Sequence, residues 1–231
     1  MKQIIAMGGG RFSNGEHNAL LEDYVLAASG VNNPSICFLP TASGDAPDYI
    51  VSFYSAFSQH NCRPSHLPLI QPTVANLEAE IAKHDILLIG GGNTKNMLAL
   101  WRGWGLDALI WDAYQRGTLL AGWSAGAICW FEQGVTDSIP GKLTALDCLG
   151  ILPGSCCPHY DGERARRAAY QRLIKKEGMP AGIALDDATA AHYVDGKLYR
   201  LVGARPGAAA YQVEMQDGQV VETRLAADYL G

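Results

Sequence analysis

Along the first half of the chain, short apolar runs alternate with longer stretches whose apolar side chains recur at helical spacing. The runs 3–7, 35–39, 66–69, 86–89 and 118–123 are each followed closely by Gly, Pro or Thr. Short continuous apolar runs bounded in this way predict strands buried on both faces, as in a parallel sheet. Between them, residues 16–28 carry Leu20, Leu21, Tyr24, Val25 and Ala28 on one helical face, with Asn14 as a candidate cap. Helices are likewise predicted over 48–58, 74–83, 94–102 and 106–115. Strand and helix alternating at this rhythm predict an α/β fold with a doubly wound, mostly parallel sheet.

The second half reads differently. A helix is predicted over 161–177, and after it the runs 182–185, 190–194, 197–202, 209–214 and 220–224 crowd together. Asp195-Gly196 joins one pair of runs and Asp217-Gly218 another, both strong hairpin signals. The C-terminal antiparallel hairpins are therefore expected to be appended to the sheet or to continue it. With no internal repeat and no linker-like segment, residues 1–231 are read as a single domain.

Composition agrees with a packed core: 48% of the 231 residues are hydrophobic and 18% charged. The formal net charge of −5, with both signs interspersed, argues against a nucleic-acid surface. No apolar stretch is long enough to span a bilayer, and the N-terminal run 3–7 is too short for a signal peptide. None of the six cysteines lies in a C-x-x-C pair, and Cys156 and Cys157 are adjacent, a poor arrangement for a disulfide. A reduced, cytoplasmic location is expected, with no metal site and no cofactor.

The chemistry concentrates in Gly122-Trp123-Ser124-Ala125-Gly126. A predicted strand precedes it, and a helix is predicted over 125–131. A serine at the apex of a tight strand-to-helix turn is exposed and sits beside the helix N-terminus, and small neighbours let the backbone pass. Ser124 is therefore the candidate nucleophile. A serine that merely caps a helix would not require glycine on both sides.

Serine needs a base. His60 and His84 fall in polar helical contexts and are expected to be exposed, whereas His66 opens a predicted strand and His17 a helix. His159 lies in an irregular loop, 154–162, before a helix. Loops at sheet edges are where bases often sit. An orienting carboxylate could come from Asp186 or Asp187, which point to opposite faces if the strand continues, or from Asp137. Spacing does not choose between them. The oxyanion would need two N–H groups, one from Ala125 and one from the glycines of Gly90-Gly91-Gly92-Asn93-Thr94. Gly8-Gly9-Gly10 could instead cradle phosphate, but neither a full G-x-G-x-x-G nor a G-K-[ST] is present.

Together, Gly90-Gly91-Gly92-Asn93-Thr94, Gly122-Trp123-Ser124-Ala125-Gly126-Ala127 and Pro158-His159 resemble the peptidase E (aspartyl dipeptidase) and cyanophycinase family of serine peptidases, over most of the chain to about Ala190. The resemblance implies a class I glutamine amidotransferase-like (flavodoxin-like) fold with its triad in the order Ser, His, acid. It implies Ser124 as nucleophile, His159 as base and Gly92 and Ala125 as oxyanion donors. The segment 182–190 matches the family's acid at Asp187, and Asp137 matches a second carboxylate near the turn.

The implied activity is hydrolysis of dipeptides or of the N-terminal bond of short peptides, with aspartyl dipeptides as one option. Asn93, Arg166 and Arg167 are candidate substrate contacts, the arginines because an aspartate carboxylate calls for a guanidinium fork. A homodimer is the expectation for this family. Three rivals remain: a cyanophycinase-like enzyme or esterase with the same triad, a non-catalytic amidotransferase-like binding domain, and a flavodoxin-like protein carrying flavin.

Overall fold

The computed structural model describes residues 1–9 and 19–231. Asn14, His17 and the first residues of the helix predicted over 16–28 lie outside the described residues. Five parallel strands form one side of the first sheet, out to its edge: β1 (Gln3–Met7), β2 (Ser35–Leu39), β3 (Arg63–His66), β4 (Ile86–Ile89) and β5 (Leu119–Trp123), in the order β1-β5-β4-β2-β3. Helices α1 (Ala19–Ala28), α2 (Pro47–Phe57), α3 (Leu77–Ile81), α4 (Thr94–Trp104) and α5 (Leu106–Arg116) connect them. The doubly wound α/β arrangement is as the alternation predicts.

Both faces of this sheet are covered, which explains why its strands read as unbroken apolar runs. Ile4, Ala6, Leu87, Ile89 and Leu120 face a core that contains Met97, Trp101 and Ile110 from α4 and α5. The alternate positions Ile5, Met7, Leu88 and Ala121 face Leu21, Val25, Phe53 and Phe57 from α1 and α2. β3 forms upstream of the run expected at 66–69. It pairs only with β2, at the sheet edge, where its polar sequence and Pro64 are tolerated.

The expectation of one sheet is corrected by a second. After a short helix α6 (Ala125–Ile128), the chain turns at once into β6 (Phe131–Thr136), then β7 (Thr144–Asp147) and β8 (Leu152–Cys157). The helix predicted to run on to residue 131 therefore stops early. Cys129, Trp130 and Phe131 are all buried, and an apolar run buried on every side carries no period that separates helix from strand. After α7 (Arg166–Glu177), β9 (Gly182–Leu185) pairs in parallel with β8, while β10 (Thr189–Val194) crosses to the first sheet, antiparallel to β1.

The hairpins form as predicted, with positive φ at Asp195 and Gly196 and at Asp217 and Gly218. They join different sheets. β10 and β11 (Lys197–Gly203) extend the first sheet, with the short β14 (Asp228–Tyr229) beyond them, and β12 (Ala209–Gln216) and β13 (Gln219–Ala226) complete the second. The second sheet turns Ile183, Cys156 and Ala210 toward the first and Ala184, Cys157 and Val213 toward Tyr170 and Leu173 of α7. All six cysteines are free. Among the described residues no helix is long and apolar enough to cross a membrane.

Candidate active site

Segments following the carboxyl ends of β2, β4 and β5 converge on one cavity of about 420 Å³, the edge at which open α/β sheets bind their ligands. Ser124 lines it from the turn between β5 and α6, with φ 56° and ψ −112°. This is a sparsely populated conformation for a residue with a Cβ, held by the structure around it. The Ser124 N–H donates to the Met7 carbonyl at 3.2 Å. The flanking glycines are needed because the turn packs against β4. A Cβ on Gly122 would lie 2.5 Å from the Gly126 oxygen, and one on Gly126 would run into the Ile89 carbonyl.

His159 lines the same cavity, just beyond β8, with φ 53° and its N–H donating to Gly8 O at 3.1 Å. Its ring Nδ1 is 2.7 Å from Asp187 Oδ1. No hydrogen bond joins Ser124 to His159 among the described residues. Two glycines crowd the Asp187 carboxylate. A Cβ on Gly9 would strike both that carboxylate and the imidazole, and one on Gly162 would also strike the carboxylate. Gly8 and Gly9, which the sequence offers as a phosphate cradle, are thus the surface on which the His–Asp pair rests. Behind the pair, the Asp187 N–H donates to Asp161 Oδ1 at 2.8 Å, and Asp161 is itself paired with Arg205. Neither Asp161 nor Arg205 stands out in the sequence.

The other candidate acids do not reach His159. Asp186, just past the end of β9, turns its carboxylate to the second sheet instead and accepts the Ala209 N–H at 3.1 Å. Burial, then the neighbouring Asp161 charge, raises its carboxyl to about 6. Asp137 is solvent-exposed and lies 3.9 Å from Arg166.

The candidate substrate contacts lie away from the cavity. Arg166 is buried, bonded to Glu163 and to the Val135 carbonyl, because α7 packs on the second sheet. Arg167 stacks over Tyr160 and Tyr211 and pairs with Glu222. Asn93 caps α4, accepting the Asn96 N–H at 2.9 Å while its amide donates to Ser138 O. None of these three lines the cavity.

Gly92 lines the cavity with φ 138° and fits only as glycine, since a Cβ would run into the Ala42 carbonyl. The preceding Gly91 donates its N–H to Tyr49 Oη at 3.1 Å. No described acceptor takes the N–H of Gly92, and that of Ala125 is an orphan donor of the first helical turn.

The remaining described histidines serve elsewhere. His66 bonds Tyr54, and His192 bonds Tyr24 and Gln3. His60 lies between Glu22 and Asp23, and His84 near Glu80. Both were expected to be exposed, but His84 is buried and His60 only partly exposed. Cys129 is fully buried and its thiol is pushed well up by burial, consistent with a core residue. Among the described residues no group of His, Cys, Asp and Glu could hold a metal ion.

The model of peptidase family S51 matches residues 4–201. The chain belongs to that family. It is a serine peptidase, as the resemblance implies. It is 50% identical over 231 residues to the uncharacterized peptidase YgaJ of Bacillus subtilis, covering 100% of both chains. Peptidase E of Salmonella arizonae is 40% identical over 93 residues, 39% of this chain and 40% of that one. Among solved structures, a peptidase from an acI-B1 actinobacterium superposes with TM-score 0.68 at 19% identity, covering 98% of this chain and 95% of that one. A putative peptidase E from Listeria monocytogenes gives 0.60 at 18%, covering 98% and 100%. The S51 peptidase thus shares its fold with these proteins.

Proposed function

We propose that this S51 peptidase hydrolyses dipeptides or the N-terminal bond of short peptides, with Ser124, His159 and Asp187 as its triad. The observation that carries this reading is the hydrogen-bonded His159–Asp187 pair sharing one cavity with a serine on a strained strand-to-helix turn. Ser124 Oγ attacks the scissile carbonyl carbon while His159 Nε2 takes its proton. Asp187 stabilises the imidazolium through Nδ1–H. The oxyanion of the tetrahedral intermediate takes the N–H groups of Gly92 and Ala125, two donors without another described partner. His159 returns the proton to the departing amine, the C–N bond breaks, and water releases the acyl group from Ser124 by the same steps in reverse.

The cavity's size suits a short peptide. Preference for an N-terminal aspartate has little support, since no arginine or lysine lines the cavity among the described residues. The test is turnover of a dipeptide panel by the wild type beside Ser124→Ala, together with fluorophosphonate labelling. Ser124→Ala is expected to lose both hydrolysis and labelling while keeping its melting transition. Undiminished turnover in that variant would overturn the assignment.

A further inference from the structure

Among the described residues, the cavity that holds Ser124 and His159 also holds one carboxylate, Asp48. Resting on the reading of Ser124 as nucleophile, we propose that Asp48 receives a cationic amine of the substrate, so that positive charge beside the scissile bond is favoured and an acidic residue there is disfavoured. Asp48 lies in the first turn of α2, after the carboxyl end of β2. Among the described residues it has no hydrogen bond or ion pair through its carboxylate, and no lysine or arginine shares the cavity.

The other polar side chains of that wall are committed to the chain itself. Ser43 Oγ donates to Pro40 O at 2.7 Å, and Ser52 Oγ donates to the Asp48 backbone carbonyl at 2.8 Å. Tyr49 Oη accepts both the Gly91 N–H and, at 2.6 Å, the Trp123 indole N–H. The Asp48 carboxylate is therefore the charged acceptor left to a ligand. A protein carboxylate paired with an ammonium or guanidinium makes a charge-assisted bond, while a substrate carboxylate in its place would meet like charge.

Asp48 also suits the positive end of α2, whose Ala46 offers no side-chain cap. That role alone would make Asp48→Asn less stable without changing which substrates are preferred. The two roles therefore separate in a selectivity ratio.

The amine could be the substrate's α-ammonium or a basic side chain. The p-nitroanilides of leucine, N-acetyl-leucine, N-acetyl-lysine and aspartate distinguish them. At least tenfold higher kcat/KM for leucine than for N-acetyl-leucine identifies the α-ammonium. The same advantage of N-acetyl-lysine over N-acetyl-leucine identifies the side chain. Asp48→Asn is expected to erase that advantage, mainly through KM, and Asp48→Lys to shift preference toward the aspartyl compound. Calorimetric titration of Ser124→Ala with Lys-Leu, Leu-Leu and Asp-Leu, with and without Asp48→Asn, gives the same comparison as Kd ratios without turnover. Preference of the wild type for the aspartyl compound, or ratios unmoved by Asp48→Asn, would overturn the proposal. Turnover surviving in Ser124→Ala would instead overturn the nucleophile assignment.

Discussion

His159 Nδ1 and Asp187 Oδ1 lie 2.7 Å apart across 28 residues of sequence, one just past β8 and the other between β9 and β10. A neutral amide in place of that carboxylate would keep the contact but no longer stabilise the imidazolium. Asp187→Asn is expected to lower kcat by about 10³–10⁴-fold with a smaller change in KM. Steady-state kinetics on a hydrolysed dipeptide checks this, and an unchanged kcat would remove Asp187 from the triad.

Gly9 provides the floor beneath the pair. Gly9→Ala drives a methyl into the Asp187 carboxylate and the imidazole, so one of them must move. The expected result is a loss of kcat comparable to that of Asp187→Asn, with stability reduced by about 1–3 kcal/mol. Denaturant melts beside the kinetics separate the two effects.

Asp161 holds the Asp187 backbone and is held by Arg205. Both of those side chains are partly exposed, so their ion pair contributes little to stability. Asp161→Ala should therefore lower kcat roughly tenfold while leaving the unfolding midpoint nearly in place. Asp161→Asn retains an acceptor for the Asp187 N–H and should recover most of the rate. Equal losses in both variants would argue against this positioning role.

Strain at Ser124 sets up an opposition between stability and activity. Ser124→Gly removes the Cβ from a positive-φ position and is expected to be inactive yet about 1 kcal/mol more stable than the wild type. A lower melting temperature in this variant would show that the turn is relaxed with serine in place.

Asp186 gives stability a pH dependence. Its folded-state carboxyl, raised to about 6 from an ordinary 3.8, favours the protonated form. The stabilisation is complete below pH 3.8 and lost as pH rises through 6, which leaves an ionised, buried carboxylate that opposes folding by on the order of 2–3 kcal/mol at neutral pH. Asp186→Asn keeps an oxygen for the Ala209 N–H and carries no charge. The variant's stability relative to wild type should therefore climb between pH 4 and 7 in parallel urea melts. A flat difference would contradict the assignment.

Much of this molecule was legible from residue pattern alone. β1, β2, β4 and β9 fall where their apolar runs predict, because central strands buried on both faces leave an unbroken signal. The Asp-Gly hairpins carry their geometry in two residues. β6, β7 and β8 were hidden, since Trp130 and Phe131 look equally like a helix and the polar, glycine-bearing strands beyond them carry no clean alternation. At the site, Gly122-Trp123-Ser124-Ala125-Gly126 encodes its turn locally. The meeting of His159 with Asp187 depends on two distant loops, and local spacing could not choose among Asp137, Asp186 and Asp187. Family resemblance made that choice. Asn93, Arg166 and Arg167 lie outside the cavity, because their partners Ser138, Val135 and Glu222 are set by tertiary packing.

Ser124 is delivered by the first sheet and His159 by the second, while Asp187 rides the segment where the chain passes from one to the other. The alignment of the proposed triad is therefore a gauge of how the two sheets are seated on each other. A core substitution between them, at Ile183 or Cys156 for instance, can silence the enzyme by a shift of less than an ångström while each sheet stays intact. Hydrolysis should then fade on warming before the far-ultraviolet circular dichroism signal is lost.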